Sequence, residues 1–273
     1  MDILELQNEI ILNLQQIQEN NPLIHNITNY VTVNDCANVL LAIGASPIMA
    51  DDEDEVEEIT QIANALVINL GTLNKRTISS MLLSGKKANE LGIPVILDPV
   101  GVGVSTLRNN AVKDLFEQVK FNVIRGNLSE LSYIAGYDTK AKGVDVSQKD
   151  QSIDASIVVH KVANMYHCVA AITGAIDVIS DGTSIIRLAN GHPMLSKITG
   201  TGCMTTALIG GYLGASKNPL VSTVAGILTM SIAGEIAYKK YGEVGTGSFH
   251  VGIVDAISKI DKQILCERWK IIM

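Results

Sequence analysis

Apolar positions near the start of the chain recur with a helical period. Leu4, Ile10, Ile11, Leu14 and Ile17 predict an amphipathic helix over 3–19, ended by Pro22. A second helix is expected over 35–43, closed by Gly44. The pattern then changes to short apolar runs separated by longer helical stretches. Strands are expected at Pro47–Ala50, Leu66–Leu70, Val95–Leu97, Val123–Arg125 and Val169–Thr173. Helices are expected at about 55–64, 75–91, 106–118, 128–135 and 152–166. A hairpin, Ala175–Ser180 and Ser184–Ala189, flanks the turn dipeptide Asp181-Gly182. Three helical patterns follow, at about 203–215, 219–240 and 248–262.

Strands alternating with helices predict an α/β fold with a mostly parallel central sheet and helices on both faces. No linker, low-complexity tract or internal repeat interrupts it, so residues 1–273 are expected to form one domain. In such sheets ligands bind beyond the carboxyl ends of the strands. Polar residues that follow strands are therefore the candidates for chemistry.

Composition narrows the class. Hydrophobic residues are 47%, charged residues 18% and aromatics 4%, so small and β-branched side chains build the core. The net charge of −7 offers no basic face for nucleic acid. Four separated cysteines, Cys36, Cys168, Cys203 and Cys266, disfavour a zinc site and a disulfide framework. Asp2, Glu5 and Glu9 argue against a signal peptide. Pro219–Ala237 is apolar but carries Ser222, Thr223, Thr229, Ser231 and Glu235, which fits a buried helix better than a membrane span. A cytoplasmic protein with no membrane partner is expected. The run Asp51–Glu55 reads as a solvated helix start. The Lys-rich stretch 137–150 reads as a surface excursion. The C-terminal QILCERWKIIM, with Trp269, is expected to pack within the chain or on a partner.

Thr199-Gly200-Thr201-Gly202 precedes an apolar helix. Glycines with inward-facing amides at a helix start form an anion cradle, and a threonine-capped turn is the plainer alternative. Cys203 stands at the positive end of that helix, where a thiol pKa falls. It reads as a nucleophile, a polar contact for a substrate hydroxyl, or a buried structural thiol. Asp98, in VILDPVGVG, sits at a strand end and suits magnesium through water. Glu130 is either a second carboxylate for that metal or the capping-box partner of Asn127. Arg125 and Thr173 follow two further strands and can hold phosphate oxygens. His25, Asn26, Thr28 and Asn29 are polar in an apolar setting. His25 alone reads as a satisfied packing residue; together they suit a polar pocket. Met49, in SPIMA, reads as core or as a soft apolar wall for a ring.

The stretches HNITNYV, GASPIMA, LVINLGTL, PVILDPVGVG, IRGNLSE, ITG and TGTGC, in this order over about 22–252, resemble the hydroxyethylthiazole kinases of the ribokinase-like superfamily. The resemblance implies a ribokinase-like fold. It also implies transfer of the ATP γ-phosphate to the primary alcohol of 4-methyl-5-(2-hydroxyethyl)thiazole in thiamine salvage. It places Arg125 and Thr173 at ATP, and Asn29, Met49 and Gly200 at the substrate. Gly200, Thr201 and Gly202 become the anion hole, Asp98 and Glu130 the acidic positions near Mg2+. Cys203 occupies the position where the wider superfamily carries an aspartate base. Homotrimers with sites between neighbouring subunits are implied as well. The alternatives are a hydroxymethylpyrimidine or pyridoxal kinase, a hydrate dehydratase, a cysteine-dependent hydrolase or transferase, and a non-catalytic nucleotide binder.

Overall fold

The computed structural model describes residues 2–137 and 153–272. The Lys-rich stretch 137–150 therefore lies almost wholly outside the described residues. Helices are α1 Ile3–Asn20, α2 Val33–Ile43, α3 Val56–Ile62, α4 Lys75–Leu91, α5 Thr106–Gln118, α6 Leu128–Ile134, α7 Ala155–Tyr166, α8 Thr201–Ser216, α9 Pro219–Tyr241, α10 Thr246–Ile257 and α11 Lys262–Arg268. Strands are β1 Leu23–Ile27, β2 Ser46–Ile48, β3 Ala65–Asn69, β4 Val95–Asp98, β5 Val123–Gly126, β6 Val169–Ile172, β7 Asp177–Ser180, β8 Ile185–Leu188 and β9 Ile271–Ile272.

The nine strands form one sheet in the order β2-β1-β3-β4-β5-β6-β7-β8-β9. Pairings from β2 across to β6 are parallel, and those from β6 across to β9 are antiparallel. Alternate residues of each strand feed opposite faces. On β3, Ala65 and Val67 join a cluster with Tyr212 and Phe249 from α8 and α10. Leu66 and Ile68 join one with Met81 and Leu115 from α4 and α5. The sheet therefore carries an apolar layer on each side, as the βαβ pattern requires.

Helix α8 runs closely over the sheet centre. A Cβ on Gly210 would meet Val67 Cγ2 at 2.7 Å, and one on Gly214 would meet Ile24 Cδ1 at 2.7 Å. This approach delivers the N-terminus of α8 to the carboxyl ends of β3 and β4. Beside it, α9 is the one helix among the described residues long and apolar enough to cross a membrane; 83% of its most apolar window is buried inside the protein.

Three sequence expectations need correction. Residues 23–27, where no strand is expected, form the inner strand β1, and His25 is the satisfied packing residue of the plainer reading. His25 is fully buried there, with Nδ1 3.0 Å from Thr60 Oγ1 and Nε2 2.9 Å from the Ala50 carbonyl. Helix α8 starts at Thr201, two residues before the expected start. The expected helix 248–262 splits at Ile257, where the chain turns into α11. The C-terminus packs within the chain, as one of its two expected alternatives: Trp269 and Ile271 lie against the core, and the edge strand β9 pairs with β8, with Leu188 opposite Ile271.

Candidate active site

The carboxyl ends of β3, β4 and β5 bring three polar side chains together. Asn69 and Asp98 are register partners at the ends of β3 and β4. Asn69 Nδ2 donates to Asp98 Oδ2 at 2.9 Å, and Thr206 Oγ1 donates to the same oxygen at 2.8 Å. Arg125 Nη1 approaches it to 3.5 Å. Asp98 Oδ1 is buried without a hydrogen-bond partner. Arg125 Nη2 donates to Thr173 Oγ1, so the end of β5 is joined to the residue that follows β6.

Asn69 also organises the substrate-side segment. Its Oδ1 accepts from Asn29 Nδ2 at 3.0 Å and from the Gly71 amide at 2.9 Å. Asn29 Nδ2 further reaches Cys203 Sγ at 3.3 Å. A polar chain thus runs from Cys203 through Asn29 and Asn69 to Asp98.

The glycine-rich turn closes the site from above. Gly200 is the α8 N-cap at φ +86°, a left-handed conformation that glycine adopts without penalty. A Cβ there would also lie 2.3 Å from Thr32 Cγ2. No side chain caps this helix, since the Thr201 hydroxyl donates to the Leu195 carbonyl at 3.2 Å instead. The threonine-capped turn is therefore not what forms. The amides of Thr201, Gly202 and Cys203 occupy the first turn, where no intrahelical partner exists. Gly202 closely approaches the guanidinium; a Cβ there would be 2.7 Å from Arg125 Nη1.

Burial governs the electrostatics. It raises the Asp98 pKa, against the opposing pull of Arg125, Thr206 and Asn69. Burial, and next the charge of Asp98, raises Glu130. Burial lifts Asp177 to about 6. The Cys203 thiol is also raised, by burial and then by Asp98. The direction is opposite to the fall expected at a helix N-terminus, with burial as its largest cause. Cys203 therefore stands as a neutral thiol, which is unsuited to attack as a thiolate.

Glu130 forms the capping box: the Asn127 amide donates to Oε2 and the Gly101 amide to Oε1, both at 2.8 Å. Among the described residues no group of three or more His, Cys, Asp or Glu is arranged to hold a metal. Met49, just past β2, is half-buried and packs against the α8-side cluster. A cleft of about 500 Å³ opens next to Arg125, Thr173, Thr201 and Gly202, with Asp177 and His192 in its wall. Asn29, Met49, Asp98, Glu130, Gly200 and Cys203 do not line it, but Arg125, which does, reaches Asp98 and so joins the cleft to the polar chain.

Asn69, Thr206 and Asp177 belong to the site or its cleft without being sequence candidates. Asn69 ends a strand inside the quoted LVINLGTL, and Thr206 lies one turn beyond Cys203. Both positions signalled their place. Asp177 lies in the expected hairpin strand Ala175–Ser180, whose pattern gives no sign of a site.

A mostly parallel sheet carrying an uncapped glycine-rich helix start beside a buried aspartate and arginine is the arrangement of a ribokinase-like fold. The fold matches a solved pyridoxal kinase of Bacillus subtilis at TM-score 0.60 and 16% identity, over 78% of this chain and 91% of that one. The Hydroxyethylthiazole kinase family model matches residues 14–263. A hydroxyethylthiazole kinase of Ruminiclostridium cellulolyticum is 58% identical over 268 residues, 98% of each chain. A solved hydroxyethylthiazole kinase protein from Pyrococcus horikoshii superposes at TM-score 0.87 with 37% identity, covering 96% of this chain and 97% of that one. The chain belongs to the hydroxyethylthiazole kinase family.

Proposed function

We propose that this chain transfers the ATP γ-phosphate to the primary alcohol of 4-methyl-5-(2-hydroxyethyl)thiazole, as a cytoplasmic enzyme of thiamine salvage formed by one domain over 1–273. The observation that carries this reading is the meeting of Asp98, Arg125 and the uncapped α8 start beside the cleft, with Cys203 three hydrogen bonds from Asp98.

In this reading the cleft takes ATP. Arg125 acts as a planar fork on phosphate oxygens and Thr173 adds a hydroxyl. The amides of the Gly200–Gly202 turn hold the transferring phosphoryl group. Asn29 and Cys203 orient the alcohol, and Met49 walls the thiazole ring. Because the Cys203 thiol is raised, its role is to hold the hydroxyl in line. The alcohol oxygen forms the new bond to phosphorus as the bond to the ADP oxygen breaks. In a loose transition state the alcohol proton leaves late, so a strong base is not required.

The residues fit Mg2+. The unpartnered, buried Asp98 Oδ1 is an oxygen acceptor without a donor, as a hydrated cation needs. Glu130 stands behind it, but both its oxygens already accept amides, so its support is electrostatic or through water. When bound, Mg2+ supplies countercharge to the phosphates. A homotrimer with sites between subunits is part of the same reading, supported by Tyr30 and Val31, which are 79% and 54% exposed directly after Asn29.

The test is an ADP-release screen with thiazole, hydroxymethylpyrimidine and pyridoxal alcohols. The thiazole alcohol should give the highest kcat/KM, and Arg125→Ala should weaken ATP use more than thiazole binding. Preference for another alcohol, or turnover without ATP, would refute the assignment.

A further inference from the structure

Residues 264–272 lie beyond the stretch that the family model matches, yet they are stitched to a wall of the nucleotide cleft. The β8–β9 ladder continues past its last strand pair, with the Ala189 amide donating to the Lys270 carbonyl at 3.0 Å. Asn190, almost fully buried, then takes over with its side chain. Its Oδ1 accepts the Lys270 amide at 2.7 Å, and its Nδ2 donates to the Arg268 carbonyl at 2.8 Å. One side-chain amide thus clamps the chain on both sides of Trp269.

The same amide donates to Glu235 Oε1 on α9 at 3.2 Å. That carboxylate oxygen also accepts the Gly191 amide at 3.0 Å and meets Lys270 Nζ at 2.9 Å. About one turn further along α9, the Tyr238 ring stacks on His192, with centroids 3.4 Å apart and planes at 18°. Asn190, Gly191 and His192 are consecutive wall residues of the cleft. Gly191 sits at φ +119°, so the wall bends there. Three successive wall residues are therefore held from behind by α9 and the C-terminal segment. Buried amides that lose such partners are costly, so wall and segment must move together.

We propose that the C-terminal segment is a strap that sets the nucleotide wall, with Asn190 and Glu235 as positioning residues for ATP and Trp269 as a reporter of occupancy. This rests on the cleft being the ATP site. The wall residues take no part in the hydrogen bonds of the Asn29–Cys203 chain, so disturbing them acts on ATP and spares the alcohol. Glu235→Ala removes the shared acceptor. Glu235→Gln keeps it for Asn190 and Gly191 and loses only the exposed ion pair with Lys270, which contributes little.

The experiment combines steady-state kinetics with titration of Trp269, the chain's single tryptophan. Glu235→Ala should raise the ATP KM about tenfold, the effect of one or two lost hydrogen bonds. Its kcat and its KM for the thiazole alcohol should stay within about twofold of wild type, and Glu235→Gln should recover most of the ATP KM. Adding ADP to the wild type should change Trp269 emission, with a midpoint shifted in parallel in Glu235→Ala. An unchanged ATP KM in folded Glu235→Ala, an equal loss in both substrates, or Trp269 emission indifferent to saturating ADP would each overturn the strap. The wild-type ADP titration needs no variant and no turnover. Absence of phosphorylation of any alcohol would instead overturn the kinase assignment.

Discussion

Replacing Gly202 with alanine adds one methyl group at the point where the anion turn meets Arg125. The new Cβ would lie 2.7 Å from Nη1, 3.0 Å from Nη2 and 3.3 Å from Cζ. Reaching an ordinary separation of about 3.5 Å requires the guanidinium to retreat by roughly 0.8 Å. It has little freedom to do so, being buried and tied to Asp98 and Thr173. Gly202 is inside a helix at a φ outside the left-handed region, so alanine introduces no backbone strain. A displacement near 1 Å at a reacting phosphoryl costs on the order of 10²-fold in rate, about 2.7 kcal/mol of transition-state stabilisation. Stability should change by less, because the helical preference for alanine offsets part of the crowding. The assay is ATP-dependent turnover in a double-mutant cycle with Arg125→Ala. Gly202→Ala should lose about 10²-fold in kcat/KM, and the double variant should be no worse than Arg125→Ala alone. Full activity in Gly202→Ala, or losses that simply add, would show that Arg125 and the glycine turn do not act together.

Two further outcomes follow from burial. Cys203→Ser and Cys203→Asp should both retain measurable kinase activity, read as ADP release, since the thiol orients rather than attacks; complete loss in both, with a covalent adduct by mass spectrometry, would contradict this. Asp177 has a folded pKa of about 6 against 3.8 in its ordinary state. Between those values the folded protein keeps a proton that the unfolded chain releases, so stability falls as pH rises from about 4 to about 6 and stays reduced above. Asp177→Asn keeps the acceptor for the Gly174 amide without the buried charge. Its melting temperature should exceed wild type by several degrees at pH 7.5, on the order of 3 kcal/mol, and the difference should vanish near pH 4. An equal difference at both pH values would refute the assignment.

Much of the fold was readable because βαβ units repeat their own periodicity. The expected ranges 75–91 and 106–118 coincide with α4 and α5, whose starts are capped by Asn74 and Ser105. Strand β1 escaped notice because His25 and Asn26 break the apolar run, and only the tertiary partners Thr60 and Ala50 make a buried histidine acceptable there. The strand-end rule located Asp98, Arg125 and Thr173. It could not supply Asn69 as the link between them and Asn29, since that link depends on the register of β3 against β4. Nor could it foresee the direction of the Cys203 pKa shift. Sequence shows the helix start, whereas desolvation depends on what packs over it. The C-terminal strap joins Asn190 to residues 78 and 80 positions away, a separation that no local pattern encodes.

The central claim is direct transfer of phosphoryl from ATP to the alcohol at the α8 start, without a covalent cysteine intermediate. The stereochemical course at phosphorus tests it, using ATP made chiral at the γ-phosphate and the thiazole alcohol as acceptor. A single in-line displacement predicts inversion of configuration in the thiazole phosphate. Retention would mean two displacements through an enzyme-bound phosphate and would contradict the account.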